Sequence, residues 1–140
     1  MVLKIKYILF IFFLIFIIAC EKEFHSNAFD CSYCYTDEPE YDDLVITLTI
    51  NEENPSVPIK VYEGDLERGF EIYRDTVDTT KAWVNVELNK NYTVTAEYIS
   101  GGKIITAVDN DKIRTKHETE SCDEACWAII GGYFDVRLKN

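Results

Sequence analysis

The chain is 140 residues long with a formal net charge of −11, and its apolar residues are unevenly spread. Residues 1–19 hold 17 of the 66 apolar residues and carry Lys4 and Lys6 but no acid, so the other 121 residues have a net charge of −13. A body this acidic argues against binding the phosphate backbone of nucleic acid, and its size supports one core rather than two.

Met1–Lys6 is basic and Tyr7–Ala19 is an unbroken apolar run. The run is shorter than the ~20 residues that span a bilayer, so residues 1–19 read as a signal segment. It ends in Ile17-Ile18-Ala19-Cys20, followed at once by Glu21-Lys22-Glu23. This border resembles a bacterial lipobox, although Leu is commoner than Ile17 there and Ala or Ser commoner than Ile18. The resemblance implies that Cys20 is lipidated and becomes the first mature residue. Several acyl chains, each CH₂ contributing about 0.8 kcal/mol on burial, would make the membrane a permanent partner. The expected location is the bacterial outer membrane, lipid-anchored, either surface-exposed or periplasm-facing. The charged residues after Cys20 resemble export signals for the outer face.

Beyond Cys20 an even set of cysteines remains: Cys31, Cys34, Cys122 and Cys126. In an oxidising compartment these read as disulfides, with three connectivities open. Two run crosswise between the pairs, and chain entropy favours them over local bridges. The C-x₂-C and C-x₃-C spacings also suit a four-thiolate zinc site. A redox-active C-x-x-C needs a helix N-terminus to lower the thiol pKa, and no apolar helical run follows Cys34.

Residues 20–43 are acidic and lack a sustained apolar period, the pattern of a tether; residues 44–140 read as the folded domain. From Leu44 the period is two, with Leu44, Ile46, Leu48 and Ile50 on one face. Asn51–Pro55 is a turn, and Pro58 opens a second strand in which Ile59 and Val61 alternate with Lys60 and Tyr62. A third holds Phe70 to Arg74, and Asp75–Lys81 reads as polar loop. The fourth turns Val84, Val86 and Leu88 inward and Trp83 outward. The fifth turns Tyr92, Val94, Ala96 and Tyr98 inward, and Gly101-Gly102 signals a hairpin. Lys103–Val108 and Lys112–His117 read as the sixth and seventh strands, separated by Asp109-Asn110-Asp111. The last, Tyr133–Lys139, points Phe134, Val136 and Leu138 inward.

Short strands with turns every 8–12 residues predict an all-β, antiparallel sandwich of about 7–8 strands. Ile46–Ile50, Val57–Tyr62 and Leu88-Asn-Lys-Asn-Tyr92-Thr-Val94-Thr-Ala96 resemble the prealbumin-like (transthyretin-like) sandwiches, including carboxypeptidase regulatory-like domains. In that pattern Asn91 replaces the usual Gly before the Tyr. The Leu88 to Tyr92 step also resembles the tyrosine corner of Ig-like domains, which implies a phenol bonded back to the backbone. The Cys31–Tyr35 and Cys122–Trp127 framework resembles small acidic lipoproteins of unassigned activity in gut anaerobes. These resemblances imply scaffolds or adhesive modules and assign no catalytic residue.

No catalytic frame is visible. His25 lies in the tether and His117 at a strand end, both in solvated settings, and no phosphate loop, G-x-S-x-G or H-E-x-x-H occurs. Asp109-Asn110-Asp111, with Glu118 or Glu120, offers oxygen ligands to Ca²⁺ but lacks the Gly and the last Glu of an EF-hand loop; it reads as a tight turn. No residue is assigned to a metal or a cofactor. Asn91-Tyr92-Thr93 fits an N-glycan sequon, and Thr76 and Thr79 resemble acceptors of an O-glycosylation system. Tyr33, Tyr35, Tyr41, Tyr62, Tyr73 and Trp83 fall in the tether or at outward positions, where they can form a carbohydrate or protein contact surface. The expected function is a non-enzymatic, membrane-anchored interaction or structural module with an envelope protein or glycan partner. The alternative is a periplasmic metal- or thiol-handling protein using the four cysteines.

Overall fold

A computed structural model describes residues 30–139, so the signal segment, Cys20 and His25 lie outside the described residues. Those described form the expected β-sandwich of eight strands. They are β1 (Tyr41–Thr47), β2 (Val57–Glu63), β3 (Phe70–Val77), β4 (Lys81–Glu87), β5 (Lys90–Ser100), β6 (Lys103–Glu118), β7 (Cys126–Ile130) and β8 (Tyr133–Asp135). A three-stranded sheet, β4-β1-β8, packs on a five-stranded one, β3-β2-β5-β6-β7. All neighbours are antiparallel except β1 and β8, which run parallel.

Alternation builds the core. Leu44, Ile46, Val84 and Val86 face inward from one sheet and Val57, Ile59, Val61, Val94 and Ala96 from the other, with Phe134 and Val136 filling the space beside β1. Each large apolar side chain withdrawn from water contributes roughly 1.5–3 kcal/mol. Two buried tyrosines of β5 find backbone partners, as a phenol in an apolar interior must. Tyr92 Oη donates to the Glu87 carbonyl at 2.8 Å, the expected tyrosine corner. Tyr98 Oη donates to the Val136 carbonyl at 2.7 Å and accepts from the Thr49 amide at 3.2 Å, joining the two sheets. The left-handed residue of this corner is Asn89, with φ 64°, rather than Asn91. The Asn89 amide oxygen accepts from the Thr115 N–H at 3.1 Å, offsetting part of that conformation's cost.

Several expected boundaries move. The residues read as tether include Tyr41–Asp43 of β1, and the segment before them is stitched down. Tyr35 exchanges two backbone hydrogen bonds with Trp127, and the Glu40 carbonyl accepts from the Leu88 N–H. The crosswise staples are Cys31–Cys122 and Cys34–Cys126, with Cα–Cα distances of 5.8 and 5.6 Å. The predicted polar loop shrinks to Asp78–Thr80, because β3 continues through Thr76 to Val77. A register shift opposite Val61 and Tyr62 leaves Phe70 and Ile72 exposed, while Tyr73 and Val77 pack on the core. Such a bulge blunts an open sheet edge.

The largest correction concerns Asp109-Asn110-Asp111. The sixth and seventh predicted strands are one, β6, which continues through these residues. Their acids mimic a turn in sequence but serve here as backbone acceptors. Asp111 Oδ2 accepts from the Gly132 N–H and Asp109 Oδ2 from the Asp135 N–H, each at 2.8 Å. The carboxylates thereby clamp the short β8 to β6. Glu118 is engaged separately, by Lys116, Ser121 and the Glu120 N–H. Asp109→Ala/Asp111→Ala strips two charge-assisted hydrogen bonds from β8 and the turn before it, each worth roughly 1.5–3 kcal/mol. Urea denaturation should register a loss of at least ~2 kcal/mol; an unchanged midpoint contradicts the clamp.

Two carboxylates also set the acid response. The Lys116 ammonium, then the Ser121 hydroxyl and the Glu120 amide, hold Glu118 at about 2 against an ordinary 4.5. The Arg137 guanidinium holds Asp135 at about 2 against 3.8. Because both are depressed on folding, their stabilisation is complete above the unfolded values and is lost as pH falls from about 4.5 toward 2. The melting temperature should therefore fall across that window, and Glu118→Gln should flatten the fall. A slope identical to wild type excludes Glu118 as a contributor.

Candidate functional site

The outer face of the three-stranded sheet gathers the exposed aromatics. Because β1 pairs with both neighbours, residues opposite each other share a face. Trp83 of β4 lies opposite Val45, which in turn lies opposite Tyr133 of β8. The row Trp83–Val45–Tyr133 thus crosses the sheet at right angles to the strands. Its two rings are 60% and 74% exposed, with the smaller Val45 half-buried between them. Two inter-strand steps, about 10 Å, separate the backbones of Trp83 and Tyr133.

The next row is polar. Asp43 lies opposite Asn85, and Asn85 Nδ2 donates to Asp43 Oδ1 at 3.0 Å. That bond leaves Asp43 Oδ2 and the Asn85 carbonyl oxygen without a protein partner among the described residues. The following row pairs Tyr41, exposed, with Glu87, which takes the Lys90 ammonium at 2.7 Å. On the other side of the aromatic row, Lys81 and Asp135 flank Thr47, and Asp135 is held by Arg137 at 2.7 Å. Asp43 has no ion-pair partner among the described residues.

The tether extends the surface. Tyr33 and Tyr35, fixed by the staple at Cys34 and the pairing with Trp127, border a cleft of about 280 Å³ with Asp43, Val45, Ile129 and Tyr133. Exposed aromatics from the tether, β1, β4 and β8 therefore share one side of the molecule. Such rings provide large contact area at low entropy cost and carry polar tips. The arrangement can stack on a flat partner surface and bond its hydroxyls or amides; no nucleophile, buried acid–base pair or phosphate cradle accompanies it among the described residues.

Of the predicted outward aromatics, Tyr33, Tyr35, Tyr41 and Trp83 converge here. Tyr62 and Tyr73 belong to β2 and β3 of the other sheet and are half-buried. Tyr133 was not among the predicted contact residues; its alternation with Phe134 signals an outward position, but its row partners come only from the β1–β8 pairing. Thr76 and Thr79 are both exposed, Thr76 within β3 and Thr79 in the loop, where its hydroxyl donates to the Lys81 carbonyl at 2.7 Å. His117 is exposed, its ring 4.6 Å from that of Trp127. The four cysteines gather at one site, with the sulfurs of Cys34, Cys122 and Cys126 within 4.8 Å of one another and Cys31 bonded to Cys122.

No protein-family model matches this sequence, and neither the curated proteins nor the solved structures searched contain a match to it.

Proposed function

We propose that this chain is a lipid-anchored, non-catalytic binding module of the bacterial envelope, which engages its partner through the outer face of the β4-β1-β8 sheet. The observation that carries the reading is the Trp83–Val45–Tyr133 row beside the Asp43–Asn85 pair. Large rings left in water at the ends of one row cost solvation that folding does not recover, whereas a partner covering them does. The signal segment and the lipobox-like border at Cys20 support an anchor in the outer membrane. Only nine residues separate Cys20 from Asp30. Even fully extended, that stretch reaches roughly 35 Å, so the partner belongs to the layer next to the bilayer. The prealbumin-like pattern agrees with a scaffold role.

Affinity capture from detergent-solubilised envelope tests this. The wild-type chain should retain a saturable partner, while Trp83→Ala/Tyr133→Ala retains none and melts within a few degrees of wild type, since both side chains are exposed. Equal retention by the two proteins contradicts the reading. In the same cells Cys20→Ser should shift the protein from the membrane to the soluble fraction.

A second reading, metal or thiol handling, is favoured by the closeness of the Cys34, Cys122 and Cys126 sulfurs. Thiol counting on the denatured, unreduced protein separates them: no free thiol supports the staples, and four free thiols with one zinc per chain support the alternative.

A further inference from the structure

We infer that the partner of this face is a neutral glycan of the envelope, lying across the strands from Trp83 to Tyr133. The inference rests on the binding-face reading above and names its ligand class.

Three observations select that class. The first is spacing. Trp83 and Tyr133 stand on strands two inter-strand steps apart, about 10 Å, and flank the smaller Val45, so the row forms a shallow trough across the strands. A ligand fits it by presenting flat C–H faces at successive positions along an extended chain, as sugar rings do. A folded protein partner instead concentrates its contacts in a packed, fully desolvated central cluster. The second is hydrogen bonding. Asp43 Oδ2 and the Asn85 carbonyl lie one row from the aromatics without protein partners, two acceptors set for the hydroxyls that edge a stacked sugar. The hydroxyls of Tyr41 and Tyr133 and the Trp83 N–H are likewise unbonded among the described residues and add donors.

Charge is the third. The acids around the trough are Asp42, Asp43, Glu87 and Asp135; Glu87 and Asp135 hold Lys90 and Arg137, Lys139 also acts on Asp135, and Lys81 lies opposite Thr47. Asp42 and Asp43 have no ion-pair partner among the described residues, so an anionic polymer would bring like charge onto them at short range, an unfavourable contact. A neutral chain of hydroxyls meets no such penalty.

The test uses the full lipidated chain in detergent micelles. Trp127→Phe leaves Trp83 as the one tryptophan, since the chain has two. The probes are the neutral and anionic fractions of the producing cell's own envelope polysaccharide, separated on an anion exchanger, with phosphatidylcholine vesicles as a third. The neutral fraction should shift and saturate the Trp83 emission. Tyr133→Ala should weaken that binding at least about tenfold, and Asp43→Ala by a smaller factor. A shift produced only by the anionic fraction or by vesicles overturns the glycan assignment, and so does neutral-fraction binding that Tyr133→Ala leaves intact. No shift with any probe, while envelope capture still depends on Trp83 and Tyr133, overturns the glycan and keeps the face, with a protein as its partner. Capture that is indifferent to both residues overturns the face itself.

Discussion

Replacing all four cysteines with serine should leave the domain unfolded or nearly so at 37 °C, whereas removing either staple alone should not. Cys31–Cys122 and Cys34–Cys126 close loops of 91 and 92 residues, and in the chain-entropy model each alone is worth about 4.6 kcal/mol. The two are not additive. Once one is formed, the other closes only the small ring made by Cys31–Cys34 and Cys122–Cys126, about nine residues, for roughly 2.5 kcal/mol. Removing the first staple therefore costs about 2.5 kcal/mol and removing both about 7, comparable to the whole stability of a small domain. The staples also hold Tyr33 and Tyr35 beside the aromatic face, so their loss loosens the cleft before it unfolds the sandwich. Denaturant curves for wild type, Cys31→Ser/Cys122→Ser, Cys34→Ser/Cys126→Ser and the fourfold variant measure all three quantities. Two single-staple losses near 4.6 kcal/mol each would show that the links act independently.

Phe134→Ala is expected to cost about 3–5 kcal/mol. Phe134 is 1% exposed and is the central residue of β8, a strand of only three residues. What holds β8 is this ring, its parallel pairing to Val45–Thr47, and the Asp109 and Asp111 carboxylates. Beyond the strand, the Tyr98 phenol grips the Val136 carbonyl and the Leu138 N–H donates to Thr49 Oγ1 at 3.1 Å. Truncating the ring leaves a void that these bonds cannot fill, and β8 carries Tyr133 at one end of the trough. Hydrogen exchange across residues 133–138 should accelerate more than across β5, and ligand binding should weaken with it. A loss under about 1 kcal/mol, with protection of these residues unchanged, would mean that the backbone pairing alone fixes β8.

The clearest parts of the fold were those whose burial is one-sided. Leu44, Ile46 and Leu48, then Val84, Val86 and Leu88, alternate cleanly because each strand has one dry face, and the structure buries them; Tyr92, Val94, Ala96 and Tyr98 are buried too, but in the central β5 the outward Thr93 and Thr95 are covered as well. The tyrosine corner was equally legible, since Leu88 to Tyr92 is a local motif. Asp109-Asn110-Asp111 misled because its composition is that of a turn, while its role depends on β8, more than twenty residues on. The inward alternation of Ala107, Asp109, Asp111 and Ile113 is the signal that the strand continues. β7 has little signal in the sequence because Cys126–Ile130 is short and follows a polar, cysteine-bearing segment; its pairing with Arg114–Glu118 defines it.

The site was half legible for the same reason. Outward positions follow from alternation within a strand, so Trp83 and Tyr41 could be placed in water. Which outward residues meet is a matter of register between strands distant in sequence, and Trp83, Val45 and Tyr133 come from three such strands. The parallel β1–β8 pairing depends on the turn at Gly131, whose φ of 84° only glycine adopts easily and where a Cβ would collide with the Lys112 carbonyl.

Oxidative footprinting of the protein in intact cells, compared with the purified chain, tests the binding-face account most directly. Trp83 and Tyr133 should be shielded in the envelope relative to the purified protein, while Phe70, exposed on β3 of the other sheet, is modified equally in both. Equal modification of Trp83 and Tyr133 in the two settings would contradict it.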